Sequence, residues 1–507
     1  MSYLRVLICR IEDEPGKTTE LAHFDLPSVD PDNLEPEKTL DQLEDAILSH
    51  GQQIMRSLLE EQWRNLDSIL VARHHEAFPP EAVIHEGYST QRVACRLGII
   101  HLSRQICFNR ELDHHLMPGN ALLPEHNGTI ITRSLQEWAC LLPMDLPFAT
   151  VERLLKWQAQ CPEMICASEV RRLVSAHGEV IREAEAEEVK GLLDRKDLSG
   201  LKAQLVSSAG RRAASAWPPE LTDAVRMALE RGDEQPPEGV RQCDWERILA
   251  ARRQEYQCME QLRRLGPEIR SDQVVAATDD VLIKAPEKNR MLSIRTARIA
   301  TTMGFRYLSG NGEAVLNQIF LLLILCGAPG KAVLLLGDGA RWIRTFFTDR
   351  LKIFSRKELI LDWFHLKKKC YELCSMICRG RKARASLMGR LIPCLWRGNV
   401  AAAVTHLEDY RHDCRNEQKL DELIRYLDAR KPYIPNYKDK RAHRFYIGSG
   451  HAEKACDLIV ARRQKHKGMH WSEKTADGLA ALRTLMLNRA WDLYWQDRKI
   501  LSLAINA

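Results

Sequence analysis

Three acidic residues stand where a carboxylate can hold a divalent cation. Asp338 closes the apolar run Val333-Leu334-Leu335-Leu336 inside Gly337-Asp338-Gly339, and Asp279 closes Val274-Val275-Ala276-Ala277-Thr278. Glu453 lies far downstream, in Gly448-Ser449-Gly450-His451-Ala452-Glu453, at the head of a basic helical run. A carboxylate is costly to bury alone, so an Asp closing an apolar strand either caps a neighbouring element or binds a cation. In-line transfer of a phosphodiester needs the attacking and leaving oxygens stabilised together. Two Mg²⁺ or Mn²⁺ ions ~3.5–4 Å apart do this when acidic side chains hold them. Such ions favour carboxylate and water oxygens over Cys or His, which fits this trio. Asp279, Asp338 and Glu453 are therefore expected to bind two metal ions and act on DNA.

Each residue also has a plainer role open to it. Asp338 could instead cap a helix over 341–347, a role that suits Asp. Asp279 and Asp280 are adjacent, so strand alternation sends them to opposite faces and only one reaches the metals. Asp279 is taken as the ligand and Asp280 as the alternate. Taken by itself, Glu453 reads as a solvated surface acid. Asp362 and His365, in Leu361-Asp362-Trp363-Phe364-His365, form a second polar pair at a strand end. They are expected to position DNA or a water outside the metal ligands, or to make a structural hydrogen bond.

Positive charge clusters around these acids although the net charge over 507 residues is only +6. Between 350 and 390 there are twelve Lys or Arg against three acids, including Lys367, Lys368, Lys369, Arg381 and Lys382. A second cluster, Arg462, Arg463, Lys465 and Lys467, follows Glu453. Such stripes are usually solvated faces. Two of them bracketing the acids suit sequence-independent, salt-sensitive contact with the phosphates of double-stranded DNA.

The elements that must carry these residues follow from pattern and punctuation. Residues 1–35 read as a strand with an irregular lead-in. A long helix or helical pair is predicted from Glu37 to His75, where Leu40, Leu43, Ile47, Ile54 and Leu58 recur at helical spacing. Residues 88–109 alternate around Gly98 as a β-hairpin does. Helices over 147–159 and 167–177 flank a break at Cys161-Pro162, and the second carries Arg171, Arg172 and His177. Such a pair fits a helix-turn-helix DNA reader, and equally any helical domain. Residues 181–270, interrupted by Trp217-Pro218-Pro219 and Gln235-Pro236-Pro237, read as a helical connector.

From Gln273 the order becomes three strands, helix, strand, helix, strand and a helical block, the order of an RNase H-like core. The fold expected is therefore multidomain. A mainly helical N-terminal half (1–135 with the hairpin, 136–180 with the helix pair) is joined by the connector to an α/β domain over 271–507 with a helical insertion at 367–445.

No apolar run reaches the roughly 18–20 residues of a membrane span. The N-terminus lacks the basic, apolar and small-residue sections of a signal peptide, so a cytoplasmic protein without membrane contact is expected. The fifteen cysteines are expected to be reduced thiols. Cys370, Cys374 and Cys378 repeat every four residues, a spacing that suits a buried helical seam better than a zinc knuckle.

These motifs together resemble the DDE-type transposases of bacterial insertion sequences, in particular the ISKra-like group and its ISLre-like relatives. The resemblance rests on Gly337-Asp338-Gly339-Ala340-Arg341-Trp342-Ile343, Leu361-Asp362-Trp363-Phe364-His365, the Gly448–Glu453 stretch, and Gly468-Met469-His470-Trp471-Ser472. It covers roughly residues 273–495 well and is weaker upstream. It implies Asp279, Asp338 and Glu453 as metal ligands, cleavage at element terminal repeats, strand transfer into target DNA, and homo-oligomers on DNA near the nucleoid. The first acid is usually followed by glycine in such proteins, whereas Asp280 follows here. No cysteine pair follows the hairpin, so no zinc is expected. Two other classes are compatible with the same residues: a domesticated, non-catalytic DNA-binding protein, and a structure-selective nuclease with this metal site. A helical interaction protein would show neither metal dependence nor salt sensitivity.

Overall fold

The computed structural model describes residues 4–11, 18–26, 36–124, 128–194, short stretches between 224 and 253, 273–301, 304–326, 328, 331–354, 356–442, 447–448 and 450–497. Most of the expected connector, including Trp217-Pro218-Pro219, and Ser449 fall outside the described residues. The chain divides into two compact units, Met1–Val174 and Ser175–Ala507.

In the first unit, β1 (Leu4–Ile11) and β2 (Thr18–Leu26) form an antiparallel hairpin where a single strand was expected. The long apolar periodicity is one helix, α1 (Pro36–Glu76). It lies against a four-stranded sheet of order β5-β4-β3-β6, built from β3 (Val83–Cys95), β4 (Gly98–Asn109), β5 (His114–Leu116) and β6 (Ile130–Ile131). Cys95 pairs with Gly98, so the hairpin turns on Arg96-Leu97. Polar side chains tie α1 to the sheet: the Trp63 indole donates to the Ser103 carbonyl at 2.9 Å, and Asp67 accepts from the Gln105 amide at 2.9 Å. Helices α2 (Arg133–Leu141) and α3 (Phe148–Ala159) follow. The next helix, α4 (Ala167–Asp194), runs well beyond His177. Within the second unit His177 is buried, its Nδ1 2.6 Å from the Tyr494 hydroxyl, so it is a packing residue and does not face DNA.

The second unit is built on a five-stranded sheet. Its strands are β7 (Gln273–Lys284), β8 (Met291–Thr301), β9 (Gly304–Gly310), β10 (Ala332–Gly337) and β11 (Lys357–Leu361). The spatial order is β11-β10-β7-β8-β9; β7, β8 and β9 form an antiparallel meander, and β10 and β11 run parallel to β7. Alternate residues of the parallel strands feed two cores. Val274, Ala276, Val333, Leu335 and Leu359 join one that includes α5 (Gly312–Leu325). Ala277, Leu334, Leu336 and Ile360 join the other, under the helical block. Both faces are thus covered, which is why these strands read as unbroken apolar runs. Helix α5, apolar on every side and buried from Ile319 to Leu325, is a core helix for the same reason.

A short helix α6 (Arg341–Thr345) passes through a π turn, Phe346–Arg350, before β11. The helical block comprises α7 (Trp363–Ile377), α8 (Arg381–Trp396), α9 (Val400–Asp409), α10 (Glu417–Asp428) and α11 (Tyr437–Ala442). Cys370, Cys374 and Cys378 are buried in its core. Burial pushes the Cys374 thiol up to about 12, so the seam behaves as packing. Trp363, Trp396 and Tyr437 form an aromatic cluster with centroids 4.6–6.0 Å apart, and the Tyr437 hydroxyl donates to the Leu361 carbonyl at 2.7 Å. The block is thereby anchored to the end of β11. Helix α12 (Gly450–Cys456) continues through a π turn into Arg462–Gln464, and α13 (Glu473–Leu487) and α14 (Trp491–Asp497) complete the unit.

Candidate functional site

Strand register brings the aspartates together. Leu336 pairs with Ala277 and Gly337 with Leu361, so two further steps from the first pair and one from the second set Asp338 beside both Asp279 and Asp362. Asp338 and Asp362 leave the carboxyl ends of β10 and β11, the edge at which open α/β sheets bind ligands, while Asp279 stands beside them within β7, which runs on to Lys284 instead of closing at Asp279 as expected. Alternation places them on one face. Ala277, Leu336 and Ile360, each two residues earlier, all belong to the core under the helical block. Asp280 points the other way. Its carboxylate lies 3.5 Å from Arg295, whose guanidinium stacks 4.4 Å over the Trp342 ring. The adjacent pair is therefore separated by the pleat, with Asp279 on the side of Asp338.

Local backbone shapes each acid. Asp338 Oδ1 accepts from the Ala340 amide at 2.7 Å, closing an Asx-type turn ahead of α6, whose N-cap is Ala340. The flanking glycines are needed there. A Cβ on Gly337 would lie 2.8 Å from Ile343, and Gly339 has φ +73° with Leu361 2.7 Å from where its Cβ would stand. Asp362 is the N-cap of α7 and accepts from the His365 amide at 2.7 Å. Asp338 thus does not cap α6, whereas Asp362 does cap α7.

Glu453 returns to this edge because the helical block folds back on itself. The Trp363 amide donates to the Ile447 carbonyl at 3.1 Å, and Gly448 sits close enough to Asp362 and Phe364 that a Cβ would lie 3.1–3.3 Å from both. Helix α12 then packs over β7 and β8, with Ala452 buried and Cys456 Sγ 3.1 Å from the hydroxyl of Thr296, the residue paired with Asp279. One potential ligand atom each from Asp362, His365 and Glu453 lies within 4.8 Å of the others. The structure thus sets Glu453 in a group with Asp362 and His365, alongside the Asp279–Asp338 pair.

The electrostatics fit a cation. Burial, then the neighbouring Asp338 carboxylate, push Asp279 up to about 6. Asp362, with Asp279 and Asp338 adding to it, holds the His365 imidazole above its usual range against the effect of burial. The His365 Nδ1 stands 3.4 Å from Asp362 Oδ1, buried and without a hydrogen bond. Crowded carboxylates of this kind repel one another until a positive charge sits among them.

The basic residues divide. Lys367, Lys368, Arg381, Lys382, Arg462, Lys465 and Lys467 are exposed or half-buried, while Lys369 pairs with Glu422 at 3.3 Å. Arg463 does not face solvent: it is buried, its guanidinium 4.8 Å over the Trp471 ring and Nη1 3.7 Å from Met469 Sδ. In the first unit Arg171 and Arg172 are exposed, but Arg172 is held by the Glu169 carboxylate and Arg171 lies 5.4 Å over Phe148.

One further cation approaches the acids without any signal in the sequence, and a second lies near it. The Arg430 side chain crosses the Gly337-Asp338-Gly339 turn, its Nε 3.3 Å from where a Gly339 Cβ would be. Arg344, one turn into α6, is close enough to act on Arg430 electrostatically. Nothing in Asp428-Ala429-Arg430-Lys431-Pro432 marks this position, which is set by the fold of the helical block.

Residues 328–498 match the model of an uncharacterised protein family (UPF0236). The matched segment carries Asp338, Asp362, His365, Arg430 and Glu453 and begins after the strand that bears Asp279. No curated protein matches the chain.

Proposed function

We propose that this protein is a metal-dependent DNA transposase of the DDE type, built on an RNase H-like core. The observation that carries the reading is the register that sets Asp279, within β7, beside Asp338 and Asp362 at the ends of β10 and β11, with Glu453 delivered by a late helix. Strand order β11-β10-β7-β8-β9, with an antiparallel meander on one side, supports the RNase H-like assignment.

The donor set fits Mg²⁺ or Mn²⁺, because the converging oxygens are carboxylates and the burial and Asp338 repulsion that raise Asp279 are both offset by a cation. Asp279, Asp338 and Glu453 would hold two such ions, with Asp362 and His365 beside them. When bound, the ions supply Lewis-acid stabilisation of the attacking and leaving oxygens of a phosphodiester. Asp338 keeps its orientation through the Ala340 amide, and Asp362 through the cap on α7. Lys367, Lys368, Arg381, Lys382, Arg462, Lys465 and Lys467 would grip backbone phosphates of element ends and target, and a homo-oligomer would bring two ends together.

The test is strand transfer in Mg²⁺ or Mn²⁺ on DNA carrying the sequences that flank the protein's own coding region. Joined products are expected from wild type and from Asp280→Asn. Asp279→Asn, Asp338→Asn and Glu453→Gln should each lose at least about 100-fold, as expected when a metal ligand is removed. Cleavage without joining would make the protein a nuclease. DNA binding without chemistry in either metal would make it a non-catalytic DNA-binding protein.

A further inference from the structure

Arg430 and Arg344 have no part in the metal set, yet Arg430 stands at its rim and Arg344 lies near Arg430. Arg430 follows α10 in the helical block, and its side chain lies across the Asp338 turn, with Nε 3.3 Å and Cδ 3.6 Å from the Cβ position of Gly339. A Cβ at 339 would press on it, although the harder clash would be with Leu361 at 2.7 Å. The guanidinium rests 4.0 Å over the Tyr426 ring, and Nη1 makes a long 3.4 Å contact to the Tyr426 carbonyl. Its Nε is buried and meets no acceptor, and the same holds for Nε of Arg344. Two guanidinium groups near one another, each with an unmet buried donor, cost free energy unless an anion answers them. Asp338 acts on Arg430 electrostatically, but its Oδ1 is already taken by the Ala340 amide.

We propose that Arg430 and Arg344 form an anion seat beside the carboxylate cluster, and that the anion they receive is a phosphodiester of the DNA substrate. A guanidinium offers a planar fork that matches two phosphate oxygens, and a ring beneath it holds that fork in one plane. With Arg430 across the Asp338 turn and Arg344 near it, the pair would hold a backbone phosphate next to the acids. The helical block would thereby carry a phosphate-orienting arginine to the sheet edge. This assignment rests on the DNA-transposase reading above and adds the residues that seat the substrate.

Two measurements test it separately from that reading. Anisotropy of a fluorescein-labelled duplex carrying the flanking sequences is followed against salt, in chelator, for wild type, Arg430→Ala, Arg430→Lys and the double variant Arg344→Ala/Arg430→Ala. Each lost phosphate contact should reduce the slope of log K against log salt by about 0.9. Arg430→Ala is expected to bind roughly 10-fold more weakly, and the double variant more weakly still. Arg430→Lys should keep the slope, because the charge remains, while losing part of the affinity. Mn²⁺ titration calorimetry on the same proteins should show binding unchanged or tighter, since a cation near the acids has been removed.

Wild-type slope and affinity in Arg430→Ala and in the double variant would overturn the anion seat. So would weaker Mn²⁺ binding in folded Arg430→Ala with DNA affinity intact, which would make Arg430 a structural partner of Asp338. Absence of Mn²⁺ binding in wild type would instead remove the metal-dependent reading while the salt slopes still report on the seat.

Discussion

Asp279 is the residue whose charge state governs the cluster. Its carboxyl is raised to about 6 by burial and by Asp338, above the 3.8 of an unperturbed Asp. A raised carboxyl loses nothing below the unfolded value, and ionising it costs the fold progressively as pH rises from about 4 to 6. The metal-free protein should therefore gain stability from Asp279→Asn at pH 7–8, by about 1–2 kcal/mol after allowance for solvent screening, and nothing at pH 4. Urea unfolding of both proteins in chelator at the two pH values checks this, and an unchanged or lower midpoint for Asp279→Asn at pH 8 would contradict it. Protons and metal compete for the same oxygens, so wild-type Mn²⁺ affinity should fall steeply below pH 6. Asp280, paired with Arg295 on the opposite face, should contribute little to either effect.

At the scale of elements, Gly339 shows how tightly strand ends and helical block are fitted. With φ +73° and Leu361 2.7 Å from its Cβ position, Gly339→Ala should cost about 2 kcal/mol through backbone strain and a displaced β11. Thermal unfolding measures the loss; a Tm within a degree of wild type would show that the turn relaxes freely. Much of this layer was legible in the sequence. The strands from Gln273 to Leu361 and helix α5 stand in the expected order, because apolar runs buried on both faces are bounded by Gly and charged residues. The long α1 was readable from its period. Three features were not. The charged stretch after His177 read as connector, although Arg182 pairs with Glu185 and Asp477 and makes it the second half of α4. A π turn leaves no period of its own, so Phe346 and Phe347 read as the end of a helix over 341–347 and the rest of the turn went unread. Strands as short as β5 and β6 carry no alternation to detect.

Over the whole molecule, the site is assembled from segments that no local pattern connects. Asp279 lies in the first strand of the sheet and Glu453 in a helix reached only after the entire helical block, which returns through the Trp363–Ile447 contact. Isolated acids at strand ends could be suspected from sequence. The shared face of Asp279, Asp338 and Asp362, and the arrival of Arg430, required the register and the fold. Because every proposed ligand lies between Ser175 and Ala507, metal binding should act on that unit alone. A ligand that binds only the folded state stabilises it by about 2.7 kcal/mol at a hundred times its Kd, which slows exchange through unfolding roughly 100-fold. Hydrogen exchange of the full chain with saturating Mn²⁺ should therefore show added protection in β7, β10, β11 and α12. Amides of α1, β3 and β4 should exchange as they do in chelator. Asp338→Asn should abolish the difference in the second unit. Protection spread equally over both units would mean that the ion acts elsewhere or that the two units unfold together, and the site drawn from strand register would lose its claim to be where the metal binds.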